Sequence, residues 1–136
     1  HAHFHEFAPL GNTCGYDIML TECDPKFLKM EMDVFWVTYA GQDPIAYFRK
    51  YPGRFPLLHV KDFKPGFPTS TKDFPYGRRS NPFAPVGQGR IDWVKIFDHA
   101  RQAGVKHIFV EQDRCDTSPF IAIKISFNYL RKLRLS

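Results

Sequence analysis

Cysteine is scarce in this sequence and poorly placed for chemistry. Cys14, Cys23 and Cys115 stand far apart with no C-x-x-C pair, a pattern that points to neither a thiolate zinc site nor a dithiol redox motif. They read as small buried or half-buried thiols, with a Cys14–Cys23 disulfide open only in an oxidising compartment. Long hydrophobic runs are also missing, since none approaches the roughly 18 to 20 residues that cross a bilayer. The first residues lack the basic, apolar, small-residue order of a secretory leader. Charge of one sign is weak: 19 Lys and Arg against 14 Asp and Glu leave a net +5, without the clustered basic face that nucleic acid requires. The densest basic spots are Arg78-Arg79 and Arg131-Lys132-Leu133-Arg134. The second fits the last turn of a helix, where cations complement the dipole. Against these shortages, 43% hydrophobic and 16% aromatic residues in 136 supply a sizeable core and exclude a disordered chain. The expectation is a soluble globular segment with no membrane span.

The punctuation along the chain is regular. His1 to Phe7 alternates, with His1, His3 and His5 on one face, and reads as a strand. Pro9, Gly11 and Asn12 break it, and Tyr16 to Glu22 is helical. Asp24-Pro25 starts a further turn, and Lys29 to Asp33 is a short strand. Asp43-Pro44 is an N-cap with proline at the first helical position, followed by Ile45, Phe48 and Tyr51 at helical spacing. Phe55 to Asp62 is an apolar strand with a polar C-terminal end. Phe63 to about Gly89 is a proline- and glycine-rich loop, longer than a connector needs. Its Lys72, Arg78 and Arg79 read either as a solvated loop with no specific contact, the favoured reading, or as cations that close over an anionic or hydroxyl-rich substrate. Asp92 caps a helix with Trp93, Ile96, Phe97, Ala100 and Ala103 on one face, closed by Gly104. Val105 to Asp113 is a fourth strand. Ser118-Pro119 opens a last helix, whose Ile121, Ile125, Phe127, Leu130 and Leu133 are expected inside. Strands alternating with helices predict an α/β fold of four parallel β-α units.

In such folds ligands bind beyond the carboxyl ends of the strands. Four strand ends here carry polar groups: His1 or His3 with Glu6, then Asp33, His59 and Glu111. Any one of these has an ordinary explanation as a cap or a satisfied core group. Four at equivalent places suggest a shared site, and imidazole with carboxylate suits a divalent ion such as Mn, Mg, Co or Zn. Period-two alternation puts Lys61 on the face of His59, Glu31 on the face of Asp33, and Asp113 on the face of Glu111. His99 reads as a surface residue, and His107 as a core or rim residue.

The stretches HAHFHEF (1–7), the long run 21–62 ending in HVKD, GQGRIDWVKIF (87–97) and VEQD (110–113) resemble the sugar phosphate isomerase/epimerase family of xylose-isomerase-like TIM barrels. The resemblance spans nearly the whole chain and implies the last four β-α units of an eight-unit barrel, so the C-terminal half of a (β/α)8 domain over 1–136. It implies metal ligands at Asp33, His59 and Glu111, with a fourth on the first strand: His1 by position, with His3 the neighbouring candidate. Glu111, Lys61 and His1 are then the expected catalytic residues, and Trp36, His3, Glu6, Asp62 and Asp113 the expected substrate-binding ones. Ala2, Phe4 and His5 depart from the family's Asn, Asp and Phe. His1 stands where epimerase relatives have glutamate, so their two-glutamate proton transfer cannot be copied.

The expected function is metal-dependent isomerisation or epimerisation of a small carbohydrate by proton transfer beside a carbonyl. The alternatives are a lyase or dehydratase on a keto-sugar or polyol, and an inactive half-barrel or binding module. A nuclease of the same superfamily needs more metal ligands and a basic face. Half a barrel leaves two open strand edges, to be met by the missing strands or a second copy. The family includes exported members, so the compartment is not fixed.

Overall fold

The computed structural model describes residues 1–75 and 80–133. Arg78, Arg79 and Arg134, singled out as basic spots, lie outside the described residues. The fold is a mixed α/β arrangement around a parallel sheet. The N-terminal segment corrects the first expectation: His5–Phe7 form a single 3-10 turn instead of continuing a strand. The alternation is nonetheless real in burial, with Ala2 and Phe4 inside and His1, His3 and His5 outside. Among the described residues no strand pairs with it. Instead the Glu6 carboxylate accepts the His3 amide, and Phe7 N–H closes onto Phe4.

A minimal antiparallel hairpin follows, β1 (Pro9–Leu10) with β2 (Thr13–Cys14). Its turn uses Gly11 at φ 64°, a left-handed conformation that glycine adopts freely. Helix α1 (Gly15–Glu22) leads to one turn at Asp24-Pro25, where Asp24 accepts the amides of Lys26, Phe27 and Leu28. The buried Arg54 guanidinium then gathers the carbonyls of Leu20, Cys23 and Leu28. The cysteines are free thiols, Cys14 buried and the other two half-buried.

Strand β3 (Glu31–Asp33) runs directly into α2 (Val34–Tyr39), a helix that the sequence pattern does not announce. VFWVTY is rich in β-branched and aromatic residues, each costing up to about 0.7 kcal/mol in a helix. Val34, Phe35, Trp36, Val37 and Tyr39 are all buried, and each such side chain gains roughly 1.5–3 kcal/mol from burial. Packing therefore outweighs propensity, and the Asp33 carboxylate fixes the start by accepting Trp36 N–H. Helix α3 (Pro44–Lys50) begins as expected, with Asp43 accepting Ile45 N–H.

Strand β4 (Leu57–Val60) is followed by β5 (Asp62–Phe63), which pairs antiparallel with β6 (Phe83–Ala84) inside the long loop. Helix α4 (Trp93–Ala103) has Asp92 as its cap and ends on Gly104 at φ 86°. Strand β7 (His107–Val110) and helix α5 (Pro119–Leu130) complete the chain. The parallel sheet has the order β3-β4-β7, three strands among the described residues where four were expected. Its register sets Asp33 opposite His59, and His59 opposite Phe109.

The last helix departs from its expected packing. Phe127 is 60% exposed and Ile121 54%, while Ala122 and Ser126 make the buried contact. The Ser126 hydroxyl accepts Val86 N–H and donates to Ala122 O, so small residues let α5 lie close to the backbone there. Leu130 and Leu133 pack at the margin of the core. Ile108, Phe109 and Val110 are also exposed, so β7 and α5 both present apolar side chains outward.

The far end of the long loop is held by one carboxylate. Asp62, fully buried, accepts the amides of Phe63, Gly87, Gly89 and Ile91 and the Trp93 indole N–H at 2.8 to 3.3 Å. Gly89 is needed beside it, because a Cβ there would collide with Asp62 Oδ1 and lie 2.7 Å from Phe63 O. Asp62→Ala should cost at least about 3 kcal/mol, since several buried donors lose their acceptor at once. Urea denaturation followed by circular dichroism checks this, and Gly89→Ala should be destabilising in the same assay.

Candidate active site

Parallel pairing brings the polar residues of three strand ends together. β3 ends at Asp33, β4 runs into Lys61, and β7 is followed by Glu111 and Asp113. His59 is the centre. Its Nδ1 lies 3.3 Å from Asp33 Oδ2 and 2.9 Å from Glu111 Oε2, and its Nε2 lies 3.1 Å from Glu31 Oε1. The Lys61 ammonium, with the side chain 3% exposed, sits 3.1 Å from Asp33, 3.3 Å from Glu111 and 2.8 Å from Asp113. His1 stacks against His59 with ring centres 4.5 Å apart, and its Nδ1 is 3.9 Å from Glu31.

Charge pairing sets the protonation. The hydrogen bond with Asp33 raises the His59 imidazole above its ordinary 6.5, against the opposing pull of burial and with further help from the Asp33, Glu111 and Glu31 charges. Burial works against the Lys61 charge, but Asp33 and Asp113 outweigh it and hold the ammonium above the usual lysine range. Four carboxylates gathered around one lysine and one histidine leave an excess of negative charge.

That donor set fits a divalent cation. One ligand atom each from His1, Asp33 and His59 lies within 4.8 Å of the others, and Glu111 approaches the same His59 nitrogen as Asp33. Imidazole and carboxylate without thiolate is the chemistry expected of Mn, Mg, Co or Zn sites.

Next to the cluster is a cavity of about 270 Å³, lined by His3, Trp36, Phe74, Phe83, Asp113 and Arg114 among others. Ring contacts connect the two: His3 lies 4.7 Å from His1 and 5.0 Å from Trp36. Lys61 Nζ sits 5.9 Å from the Trp36 ring centre. The long loop forms part of the cavity wall through Phe74 and Phe83, whereas its Lys72 is exposed.

The structure thus gathers His1, Asp33, His59, Lys61, Glu111 and Asp113, with His3 and Trp36 at the adjoining cavity. Two expected substrate residues are elsewhere. The Asp62 carboxylate is consumed by the loop anchor, pointing away from Lys61 as alternation requires. Glu6 holds the His3 amide and borders a separate depression with Ala8, Leu10 and Gly15. Glu31 had no assigned role, yet it contacts both His59 and His1. Its signal was the period-two step from Asp33.

Fold and site together describe an α/β sheet protein with a histidine–carboxylate centre beyond its strand ends, the class to which xylose-isomerase-like barrels conform. No family model matches the chain. Its structural neighbours are sugar phosphate isomerase/epimerase proteins. One solved structure of that description, from Parabacteroides distasonis, superimposes with a TM-score of 0.75 at 28% identity over 96% of this chain and 44% of its own. A second from the same organism gives 0.71 at 25% over 95% and 42%. Among curated relatives, inosose dehydratases from Clostridium beijerinckii and Lacticaseibacillus casei are 28% and 26% identical over 87% of this chain and 42% of theirs. The chain therefore spans less than half the length of the proteins it matches.

The raised His59 pKa has a measurable sign. In chelator-treated protein, protonated His59 contributes stability that is complete below about 6.5, its unfolded value. That contribution is lost as pH rises through the higher folded value. Urea midpoints should fall over this window and flatten in His59→Gln; an unchanged slope in the variant contradicts the assignment.

Proposed function

We propose that this chain carries the metal-assisted proton-transfer centre of an enzyme acting on a keto-sugar or keto-polyol, with loss of water as its reaction. The observation that carries this reading is the convergence of Asp33, His59, Lys61 and Glu111 from three parallel strand ends beside a cavity of sugar size. The names of the curated relatives favour dehydration. The sugar phosphate isomerase/epimerase description of the structural neighbours favours the second reading, isomerisation or epimerisation on the same residues.

His1, Asp33, His59 and Glu111 would hold a divalent ion, which supplies Lewis-acid polarisation of the substrate carbonyl when bound. The Glu111 carboxylate, 40% exposed, is accessible and removes the proton from the carbon next to the carbonyl. The Lys61 ammonium lies beside it and offsets the negative charge that develops on the substrate oxygen. His3, on the cavity wall and outside the proposed ligand set, donates a proton. Delivered to a hydroxyl on the β-carbon, that proton releases water and leaves a double bond; delivered to carbon, it gives an isomer or epimer of unchanged mass. Trp36 and His3 border the cavity where the sugar body would lie, and Asp113 reaches it from the β7 side.

The test incubates the chain with Mn2+, Mg2+, Co2+ or Zn2+ and a set of keto-sugars and keto-cyclitols, followed by mass spectrometry. Dehydration predicts loss of one water, and Glu111→Gln should lower turnover by roughly 10²- to 10⁴-fold, the usual range for a lost acid/base group. Product of unchanged mass shifts the assignment to isomerase. Turnover that is insensitive to Glu111 and His59, or none with any of the four ions, contradicts the proposal for this chain.

A further inference from the structure

We propose that Asp113 is the holding partner of Lys61, the carboxylate on which the buried ammonium remains when a divalent cation takes Asp33 and Glu111. This rests on the divalent-ion reading above and adds a positioning role that the ligand set itself does not contain.

The inference follows from a conflict of charge. Lys61 Nζ touches three carboxylates, Asp33, Glu111 and Asp113. The first two belong to the proposed ligand set, so the ammonium and a divalent ion would compete for the same oxygens. Lys61 has little access to water, because its side chain is 3% exposed and its Nζ lies 5.9 Å from the ring centres of both Trp36 and Phe83. Nor can the backbone easily carry it away, since the next residue is the five-fold anchored Asp62. A buried ammonium without a partner is strongly unfavourable. Asp113 is the one of the three that remains, and at 2.8 Å it is also the nearest. Glu111, like Asp113, stands outside the His1, Asp33 and His59 group, but Glu111 approaches the His59 imidazole at 2.9 Å whereas the ion pair of Asp113 is with Lys61. By keeping Lys61 paired, Asp113 frees Asp33 and Glu111 for the ion. Without Asp113, Lys61 has only those two carboxylates and opposes the ion's entry.

Calorimetric titration of Mn2+ into the wild-type chain, Asp113→Asn, Lys61→Met and the double variant tests the idea as a double-mutant cycle. Asp113→Asn should weaken Mn2+ binding about tenfold or more, within the range of coupling between residues in one charge network. Lys61→Met should bind at least as tightly as wild type, and adding Asp113→Asn to it should change affinity by less than about twofold. Asp113→Glu should recover most of the wild-type affinity. Lys61→Gln replaces Lys61→Met if circular dichroism shows the latter unfolded. Equal weakening by Asp113→Asn in both lysine backgrounds overturns the proposal, because Asp113 then acts as a ligand or as general negative charge. No effect of Asp113→Asn overturns it as well. A wild-type chain that binds no Mn2+ sinks the divalent-ion reading and this inference with it, whereas tight binding without coupling sinks this inference alone.

Discussion

The register of β3 against β4 is the constraint on which the site depends. Asp33 pairs with His59 across two parallel strands, and the period of two along each strand then selects every neighbour. Glu31 joins Asp33 on one strand, and Lys61 joins His59 on the other. A slip of one residue would turn one of these pairs to the opposite face and separate imidazole from carboxylate. The same alternation divides the work of two consecutive residues. Lys61 enters the charged cluster, while Asp62 turns away and gathers the amides that end the long loop. Site and loop are therefore fastened to the same strand end.

The cluster is costly to build. Asp33 and Lys61 are nearly inaccessible, and removing such charges from water costs several kcal/mol per ion even after relaxation. Replacement by apolar residues would serve stability at least as well, so the arrangement makes physical sense as a site. Its surplus of carboxylates over cations is the condition that a divalent ion corrects. The surrounding aromatic residues, Trp36, Phe74 and Phe83, lower the local polarity and strengthen every charge interaction within reach.

Much of the fold was legible where local chemistry acts alone. Asp43-Pro44 and Asp92 announced their helices through caps, and Gly104 announced an end through its left-handed backbone. The strand ends at His59 and Glu111 were legible because apolar runs turn polar there, and Asp33 because a short alternating strand ends on it. The first segment was not, since alternation describes burial and cannot supply a ladder partner: His1 to Phe7 alternates and yet closes into a 3-10 turn. Helix α2 was hidden by strand-like residues whose burial overrides their propensity. In α5 the bulky residues suggested the inner face, but close approach to Val86 selected Ala122 and Ser126. Asp62 was expected at the site through the family resemblance, and nothing local tells which way a loop 25 residues downstream will return. Glu31 was visible as a residue on the right face, but its contact with both imidazoles needed coordinates.

The central claim is that these strand ends form a divalent-ion centre around His59. A crystal of the chain soaked in Mn2+ and measured at the manganese absorption edge tests it most directly. The account predicts an anomalous difference peak within coordination distance of His1, Asp33 and His59. Manganese bound elsewhere with that cluster empty, or no peak at all, would contradict it.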